Sequence, residues 1–322
     1  MTILAGHPLA FGAATVGNLY RQVSDERAWA TLEAAWDAGI RHFDTAPHYG
    51  IGLSERRLGA FLATKPRDAF VLSTKAGRLL EPVDEVVGDD MAHDFAVPRT
   101  HVRRYDASAD GIRRSLDASL ERLGLDRVDI LYLHDPDVAP EGEGGAMATG
   151  LPALAGLRDE GLVAAVGIGS KSLTALEAAA RSGLADVLMV SSRITLLDGS
   201  AVARLLPACV EHGVEAIAVS IFNSGLLARP RPPADARYDY GAASAELVDR
   251  SHRIADVCEA HGVDLPTAAI AFPLTLPGVV ARAVSASRPD QASETAARAA
   301  TPVPDALWRD LASAGLLPVA AP

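Results

Sequence analysis

The sequence has few aromatic residues and fewer basic than acidic side chains. Phe, Trp and Tyr make up 5% of its 322 residues, so a broad aromatic surface for stacking bases or glycans is not expected. Lys and Arg number 30 against 41 Asp and Glu, which gives a formal net charge of -11. Because so acidic a surface repels phosphate backbones and anionic lipids, neither nucleic acid nor a membrane surface is an expected partner.

Long apolar runs, targeting signals and cysteine pairs are also missing. No stretch of about 18 apolar residues is present, so no membrane-spanning helix is expected. Residues 1–12 lack the basic start and apolar run of a signal peptide, which favours the cytoplasm. Cys209 and Cys258 have no C-x-x-C spacing, and buried thiols are favoured over a disulfide. No metal-binding motif, phosphate-binding loop or G-x-S-x-G is found, and no metal is expected.

Eight short apolar runs alternate with helical patterns, and no change in composition marks a second domain. The runs lie at 9–14, 42–46, 70–76, 128–134, 163–169, 186–192, 214–220 and 279–286. They are nearly continuous in apolar character, as is typical of parallel strands that are covered on both faces. With 49% hydrophobic residues to form a core, we expect residues 1–322 to fold as a single domain.

The segments between the runs have the start and stop signals of helices. In 109–123 apolar residues recur every three or four positions, Asp106 or Ser108 can cap the start, and Gly124 follows the end. Further helices are predicted at 25–38, 172–182, 200–212 and 245–261, followed by Gly39, Gly183, Gly213 and Gly262. Repeated strand–helix units form either an open doubly wound sheet or a barrel. Eight units without a glycine-rich fingerprint after the first strand favour a (β/α)8 TIM barrel.

Two long segments interrupt this rhythm. Residues 80–105 follow the third predicted strand and residues 228–241 follow the seventh. Both leave the carboxyl ends of strands, where barrel enzymes bind substrates, so lids are favoured over disordered insertions. His93 in the first segment is either a substrate contact or a solvated side chain. The glycine-rich run at 141–145 is predicted to be a flexible turn.

Four polar side chains stand at the ends of successive strands. Asp44, Lys75 and His134 close the second, third and fourth predicted strands, and Tyr49 follows Asp44 by a short loop. A charged residue at the end of a buried strand is costly unless it points into a polar site. Taken singly, Asp44 could cap a turn, Lys75 could extend into solvent, and His134 could be structural or bind a metal. Their joint order along the chain favours convergence at one end of the barrel.

This set of residues supports acid–base chemistry. A phenol titrates near pH 10 and exchanges protons poorly at neutral pH unless its pKa falls. An ammonium beside it stabilises the phenolate, and a carboxylate holds that ammonium in place, so Tyr49, Lys75 and Asp44 form a candidate acid–base group. His134 can donate a hydrogen bond to a substrate oxygen. The site has no nucleophile and needs a hydride source; a Schiff-base lyase acting through Lys75 is the less favoured alternative.

Six segments carry a resemblance to a known family. They are FGAATVGNLY, DTAPHYGIGLSERRLGAFL, LSTKAGR, LERLGLDRVDILYLHDPD, FNSGLLA and LASAGLLP. Spanning residues 9–318, the chain resembles the aldo-keto reductase superfamily, and within it the group of D-threo-aldose 1-dehydrogenase, L-fucose dehydrogenase and pyridoxal dehydrogenase. The resemblance implies a barrel that binds NAD(P) across its strand ends without a Rossmann fold. It also implies that Tyr49 is the acid–base and that Asp44, Lys75 and His134 complete a tetrad.

The resemblance places the nicotinamide end of the coenzyme beside the fifth and sixth strands. Related enzymes have an asparagine that binds the carboxamide where this chain has Lys171, preceded by Ser170. Ser191 stands where relatives have another carboxamide contact, and Ile194 replaces an aromatic residue. These departures leave open a second class of function, a nucleotide-binding regulatory relative with weak or no turnover.

The remaining coenzyme contacts follow the seventh and eighth strands. The resemblance implies Phe222, Asn223, Ser224 and Leu226 at the pyrophosphate, with Ser224 and Leu226 as donors, and Ser285, Arg288, Gln291 and Glu294 at the adenosine. Relatives that prefer NADPH have a lysine and an arginine there, whereas Arg288 is the only cation in 285–295, which favours NAD over NADP. We therefore expect an NAD(P)-dependent oxidoreductase, monomeric or homodimeric, that acts on a small carbonyl, alcohol or sugar hemiacetal. Oxidation of an aldose at C1 to a lactone is the specific hypothesis.

Overall fold

Eight parallel strands close into a barrel in the computed structural model, which describes residues 3–239 and 241–318. The strands are β1 (Leu9–Gly12), β2 (His42–Asp44), β3 (Val71–Ala76), β4 (Ile130–His134), β5 (Ala165–Ser170), β6 (Val187–Ser191), β7 (Glu215–Val219) and β8 (Val279–Val284). Each strand pairs with the next in the chain, and β8 pairs with β1 to close the ring. The predicted barrel is confirmed, with every predicted strand present within about two residues at each end.

Ten α-helices lie in the described part of the chain and connect or follow the strands. They are α1 (Asp25–Asp37), α2 (Leu53–Leu62), α3 (Ala109–Leu123), α4 (Gly142–Asp159), α5 (Leu173–Arg181), α6 (Leu205–His212), α7 (Ala245–Ala260), α8 (Leu265–Ala271), α9 (Pro289–Ala300) and α10 (Asp305–Ser313). The prediction of a flexible turn at 141–145 is wrong, because these glycines enter the first turn of α4. Leu151 and Leu154, later in α4, are buried in the core and hold the whole helix against the barrel.

Side-chain caps explain where several helices begin. The caps are Ser24, Ser108, Ser172, Ser244 and Asp264, each accepting a hydrogen bond from the backbone N–H three residues further on. Ser108 rather than Asp106 therefore caps α3. Gly124 ends α3 with a left-handed φ of 63°, a conformation that glycine adopts without steric cost.

Apolar side chains fill the amino-terminal part of the barrel. Alternate residues of β3, β4, β6 and β7 face inward and pack together, with Tyr132 the largest of them and fully buried. The intervening residues pack outward against the helices. Because one end of the barrel is filled in this way, space for a ligand remains at the carboxyl ends of the strands.

The first long segment is a folded cover. Arg78–Pro82 pairs antiparallel with His101–Tyr105, so the alternative of a disordered insertion does not hold. Within it, Arg103 forms a salt bridge of 2.5 Å with the buried carboxylate of Asp90 and donates to the backbone carbonyl of His48 at 2.9 Å. The cover is therefore attached to the loop that carries Tyr49.

The second long segment is also partly ordered. Arg237–Tyr238 pairs antiparallel with Gly241–Ala242, while Tyr240 between them lies outside the described residues. Lys171, which follows β5, forms a salt bridge with Asp239 of this segment. The contact links the carboxyl ends of two non-adjacent strands across the mouth of the barrel.

Three further expectations concern cysteines, membranes and metals. Cys209 and Cys258 are both free and buried, which confirms the prediction of buried thiols. Within residues 3–239 and 241–318, no helix combines the length and apolar character that a bilayer crossing requires. The same ranges contain no cluster of His, Cys, Asp and Glu side chains arranged to hold a metal ion.

Candidate active site

The four polar side chains singled out in the sequence meet at the carboxyl end of the barrel. Asp44 and His134 are the last residues of β2 and β4, Lys75 is the penultimate residue of β3, and Tyr49 lies in the turn after β2. The Lys75 ammonium is 2.6 Å from Asp44 Oδ2 and 4.6 Å from the centre of the Tyr49 ring. Parallel strands of one barrel end at the same face, and this topology brings the groups together.

Asp44 and Lys75 form a buried ion pair with its own hydrogen bonds. Ser73 donates to Asp44 Oδ1 at 2.8 Å, and Lys75 also donates to the Thr45 carbonyl at 2.9 Å. Burial raises the pKa of Asp44, and Lys75 and Ser73 act against it. Burial alone would lower the pKa of Lys75, but Asp44 and Tyr49 together raise it above its usual value. Lys75 is therefore a charged ammonium that its ion pair with Asp44 fixes in place. It neither extends into solvent nor acts as the neutral amine that a Schiff-base nucleophile requires.

The pKa of Tyr49 differs in direction from the sequence-based expectation. Burial raises the pKa of the phenol, and the nearby Lys75 ammonium lowers it without reversing the shift. The reason is that removing a phenolate from water costs more here than the single ammonium returns. Tyr49 is thus a protonated donor at neutral pH, and Lys75 limits how far its pKa rises.

His134 is a neutral imidazole with one preferred tautomer. Burial lowers its pKa well below the usual value, and the positive charges of Arg78 and Lys75 lower it further. Its Nε2 lies 3.4 Å from Asp135 Oδ2, whereas Nδ1 has no hydrogen-bond partner among the described residues. Since a carboxylate only accepts, this contact favours the proton on Nε2. The ring packs at 89° to that of Tyr49, with 6.1 Å between centres.

A continuous groove runs from these residues along the barrel mouth. A cavity of about 780 Å³ contains the tetrad and meets a second cavity of about 630 Å³. The two share the wall residues Phe222, Ser224, Gly225, Ala228, Ser285 and Gln291. The predicted coenzyme contacts Ser170, Lys171, Ser191, Phe222, Asn223, Ser224, Ser285 and Gln291 line the first cavity, and Arg288 and Glu294 line the second. Ten of the eleven predicted contacts therefore share one groove.

Two residues that the sequence analysis placed at the coenzyme lie elsewhere. Leu226 is fully buried, lines neither cavity, and its backbone N–H bonds the Asn223 carbonyl at 3.3 Å. Ile194 is 1% exposed and packs in the hydrophobic core. Because Ile194 does not line the groove, an aliphatic residue in place of the aromatic one does not alter the wall of the groove.

The second cavity holds more positive charge than the local sequence indicates. Arg229 and Arg237 from the second long segment and Arg298 from α9 line it together with Arg288. Arg288 and Arg298 are already paired with neighbouring carboxylates. No ion pair of Arg229 or Arg237 is found within the described ranges. Arg288 remains the only cation within 285–295, but the folded chain brings Arg229 and Arg237 from the second long segment, and Arg298 from later in α9, to the same cavity.

The sequence analysis also missed three polar residues of the first cavity. Arg78 lies three residues after Lys75 in the cover, Asp135 follows His134 directly, and His48 precedes Tyr49. Asp135 and His48 each adjoin a tetrad residue and Arg78 is a charged residue close to Lys75 in the sequence, which was the signal available. Arg78 donates to Asp135 Oδ2 at 2.5 Å and lies 3.3 Å from His48 Nδ1.

Comparison with known proteins identifies the family of this barrel. The sequence pattern of the Aldo/keto reductase family matches residues 8–315. The chain is 53% identical over 317 residues to D-threo-aldose 1-dehydrogenase from Pseudomonas sp., covering 98% of this chain and 96% of that protein. The chain belongs to the aldo/keto reductase family. This aldo/keto reductase is an NAD(P)-dependent oxidoreductase, and the similarities do not support a regulatory nucleotide-binding role.

Other relatives agree with this assignment. Pyridoxal 4-dehydrogenase from Microbacterium luteolum is 34% identical over 331 residues, covering 96% of this chain and 94% of that protein. Among solved structures, the glycerol dehydrogenase from Gluconobacter oxydans superposes with a TM-score of 0.76 at 22% identity, covering 97% of this chain and 93% of that one. A structural similarity at that identity supports the barrel fold alone.

Proposed function

We propose that this aldo/keto reductase oxidises an aldose at C1 to a lactone, with Tyr49 as the acid–base and Asp44, Lys75 and His134 in support. The observation that carries the proposal is the buried ion pair of Lys75 and Asp44 directly beneath Tyr49, at one end of a long groove. The 53% identical relative is a D-threo-aldose 1-dehydrogenase, which supports an aldose as substrate.

The groove fits a dinucleotide. It is elongated, it begins at the tetrad, and its far end carries four guanidinium groups in a protein of net negative charge. We propose that Ser170, Lys171 and Ser191 contact the nicotinamide, that Phe222, Asn223 and Ser224 contact the pyrophosphate, and that Ser285, Arg288, Gln291 and Glu294 contact the adenosine. Leu226 is not retained as a donor, since its N–H is already bonded. A bound nicotinamide coenzyme supplies or accepts the hydride.

The chain's own residues supply the proton transfer. In oxidation, the Tyr49 oxygen accepts the proton of the substrate hydroxyl, and the Lys75 ammonium stabilises the phenolate that precedes this transfer. Because burial raises the pKa of Tyr49, the oxidative direction depends on Lys75 keeping its charge. His134 donates from Nε2 to the same substrate oxygen and orients it. In reduction, Tyr49 returns the proton to that oxygen.

The coenzyme preference follows from the charge at the far end of the groove. One arginine in 285–295 favoured NAD, since a 2′-phosphate needs positive partners. Since Arg229 and Arg237 form no ion pair within residues 3–239 and 241–318, their guanidinium groups can provide such partners. We propose that the enzyme binds NADP as well as NAD.

The remaining proposals concern the protein as a whole. We propose a single barrel domain over residues 1–322, working as a monomer or homodimer in the cytoplasm. Two free, buried cysteines are consistent with a reducing compartment. The groove lies within one chain, so the proposed chemistry requires no second subunit.

The proposal is tested by Tyr49→Phe. We expect turnover with the best aldose of a pentose and hexose panel to fall by about 10²–10⁴-fold, because the acid–base is lost. Titrations with NADH and NADPH, followed by protein fluorescence, should give dissociation constants equal to those of the unchanged enzyme. Tyr238→Phe is the control, since Tyr238 is half-buried and lines neither cavity.

Full activity of Tyr49→Phe would remove Tyr49 from the mechanism. If the unchanged enzyme binds both nucleotides but oxidises or reduces nothing across aldoses and aldehydes, the regulatory alternative replaces this proposal.

A further inference from the structure

A group of three polar side chains in the first cavity exchanges no proton with the substrate in the proposed mechanism, although one of them, Asp135, also contacts His134 Nε2. Arg78, Asp135 and His48 line the cavity beside His134, and Asp135 and His48 are each bonded to Arg78. We call them the Arg78 triad. A guanidinium and a carboxylate removed from water are costly unless their hydrogen-bonding groups are used. We therefore expect a ligand that forms hydrogen bonds with the polar groups of the triad.

Arg78 is largely enclosed and holds the other two members. Its side chain is 13% exposed, and it donates from Nη2 to Asp135 Oδ2 at 2.5 Å. Its Nη1 lies 3.3 Å from His48 Nδ1. The Nε–H is buried and has no partner among the described residues. The two terminal nitrogens of the guanidinium thus hold a carboxylate and an imidazole at the cavity wall.

The contact with Arg78 decides which nitrogen of His48 carries the proton. A guanidinium can only donate, so His48 Nδ1 is the acceptor and Nε2 carries the hydrogen. Burial, and then the charge of Arg78, lowers the pKa of His48 to about 2, so the ring is neutral. Phe95 packs against it at 90° with 5.4 Å between ring centres, and His134 does so at 82° and 5.6 Å. His48 is therefore a rigid N–H donor in the cavity wall.

Asp135 provides the acceptor. Its Oδ2 accepts from Arg78 and lies 3.4 Å from His134 Nε2, while Oδ1 makes no hydrogen bond to the part of the chain that the structure describes. The side chain is 30% exposed and lines the cavity. Asp135 also has a φ of 44°, a left-handed conformation that aspartate tolerates better than most non-glycine residues.

We propose that the Arg78 triad binds the hydroxyl group next to the reacting carbon and so selects vicinal polyols, such as aldoses in their ring form, over simple aldehydes and alcohols. A hydroxyl both donates and accepts, and it is matched by an N–H donor and a carboxylate that the same guanidinium holds in the wall of one cavity. A substrate without that hydroxyl leaves the triad's polar groups desolvated and unpaired, which a site of this kind rejects strongly. The inference rests on the proposed oxidoreductase function and specifies its substrate class.

The test compares paired substrates in the unchanged enzyme and in Arg78→Met and Asp135→Asn. One pair is the best aldose of the panel and its 2-deoxy analogue in oxidation; the other is glyceraldehyde and propanal in reduction. We expect each variant to lose at least about 30-fold more in kcat/KM on the hydroxylated member of a pair than on its partner, mainly through KM; a loss common to both members reflects the contact of Asp135 and the charge of Arg78 at His134. Asp135→Asn keeps the shape of the side chain, so it tests the idea even if Arg78→Met folds poorly.

Two controls separate substrate recognition from structural damage. Arg114→Met removes an exposed arginine paired with Asp110 and should leave all four substrates unaffected. Arg78→Lys keeps the positive charge but loses the paired N–H donors of the guanidinium. Its kcat/KM on the hydroxylated substrates should lie between those of the unchanged enzyme and Arg78→Met.

Equal losses on both members of each pair, or no loss on either, would overturn the role of the triad while leaving the oxidoreductase proposal intact. An unchanged enzyme that turns over none of the four substrates would overturn the proposed function and this inference with it.

Discussion

Burial and charge oppose each other most strongly at Lys75 and Asp44, which are 2% and 4% exposed. The ion pair is stable in this position because Ser73 and the Thr45 carbonyl supply further hydrogen bonds. Its effect reaches Tyr49, whose pKa would rise further without the ammonium. A structural and a chemical role thus coincide in the same two residues.

A double-mutant cycle separates these roles. Asp44→Asn and Lys75→Met each leave one buried charge unpaired, so each should lower the free energy of unfolding by about 3–5 kcal/mol. The double variant buries no unpaired charge and should be more stable than the sum of the single losses predicts. Turnover should be low in all three, because Lys75 is lost or its charge is no longer held.

Urea denaturation at pH 7 measures the stabilities, and the aldose assay measures turnover. Additive stability losses would show that the two charges do not interact, and turnover restored in the double variant would contradict the role given to Lys75.

The packing of α2 against α3 requires a glycine at the point where the two helices meet. A Cβ added to Gly59 of α2 would lie 1.9 Å from the carbonyl oxygen of Leu123, at the end of α3. Only glycine allows this approach of two helix backbones. Gly156 of α4, by contrast, has open space around its Cα.

The same substitution should therefore have opposite effects at these two glycines. Gly59→Ala should lower the free energy of unfolding by about 1–3 kcal/mol, because α2 must move away from α3. Gly156→Ala should raise it by about 0.4–1 kcal/mol through the lower entropy of the unfolded chain. Thermal unfolding of both variants checks the signs, and a destabilised Gly156→Ala would mean that α4 packs more tightly than the structure has it.

For the molecule as a whole, buried histidines link stability to pH. His42 is fully buried inside the barrel, and burial, followed by the charges of His7 and Lys75, lowers its pKa to about 3. In the unfolded chain its pKa is near 6.5, so below that pH the unfolded state binds a proton that the folded state does not. The stabilising contribution is complete above pH 6.5 and is lost as the pH falls towards 3.

We expect His42 alone to account for a loss of about 1.4 kcal/mol per pH unit in this window. His42→Gln should flatten the dependence of the unfolding free energy on pH between 6.5 and 4.5 by that slope. Urea titrations at several pH values measure it, with His212→Gln, which alters an exposed histidine, as the control. An unchanged slope in His42→Gln would show that this histidine takes up a proton in the folded protein.

Local patterns in the sequence determine most of the fold and the tetrad. Continuous apolar runs predict the eight strands, and regularly spaced apolar residues followed by a glycine predict the helices between them. Both signals are local, because each depends on residues only a few positions apart. Asp44, Lys75 and His134 could be identified since each ends a strand, and parallel strands share one end. The glycines of 141–145 led to the wrong prediction of a turn, because the packing that holds α4 involves residues further along the chain.

Only the tertiary structure decided the rest of the groove. Arg229 and Arg237 come from the segment after β7, far from Arg288 in the sequence, and nothing in the local sequence around Arg288 indicates that they share its cavity. The bonding of Arg78 to Asp135 likewise joins residues 57 positions apart. The raised pKa of Tyr49 depends on how much water the folded chain excludes, a property of packing in three dimensions that no stretch of sequence contains.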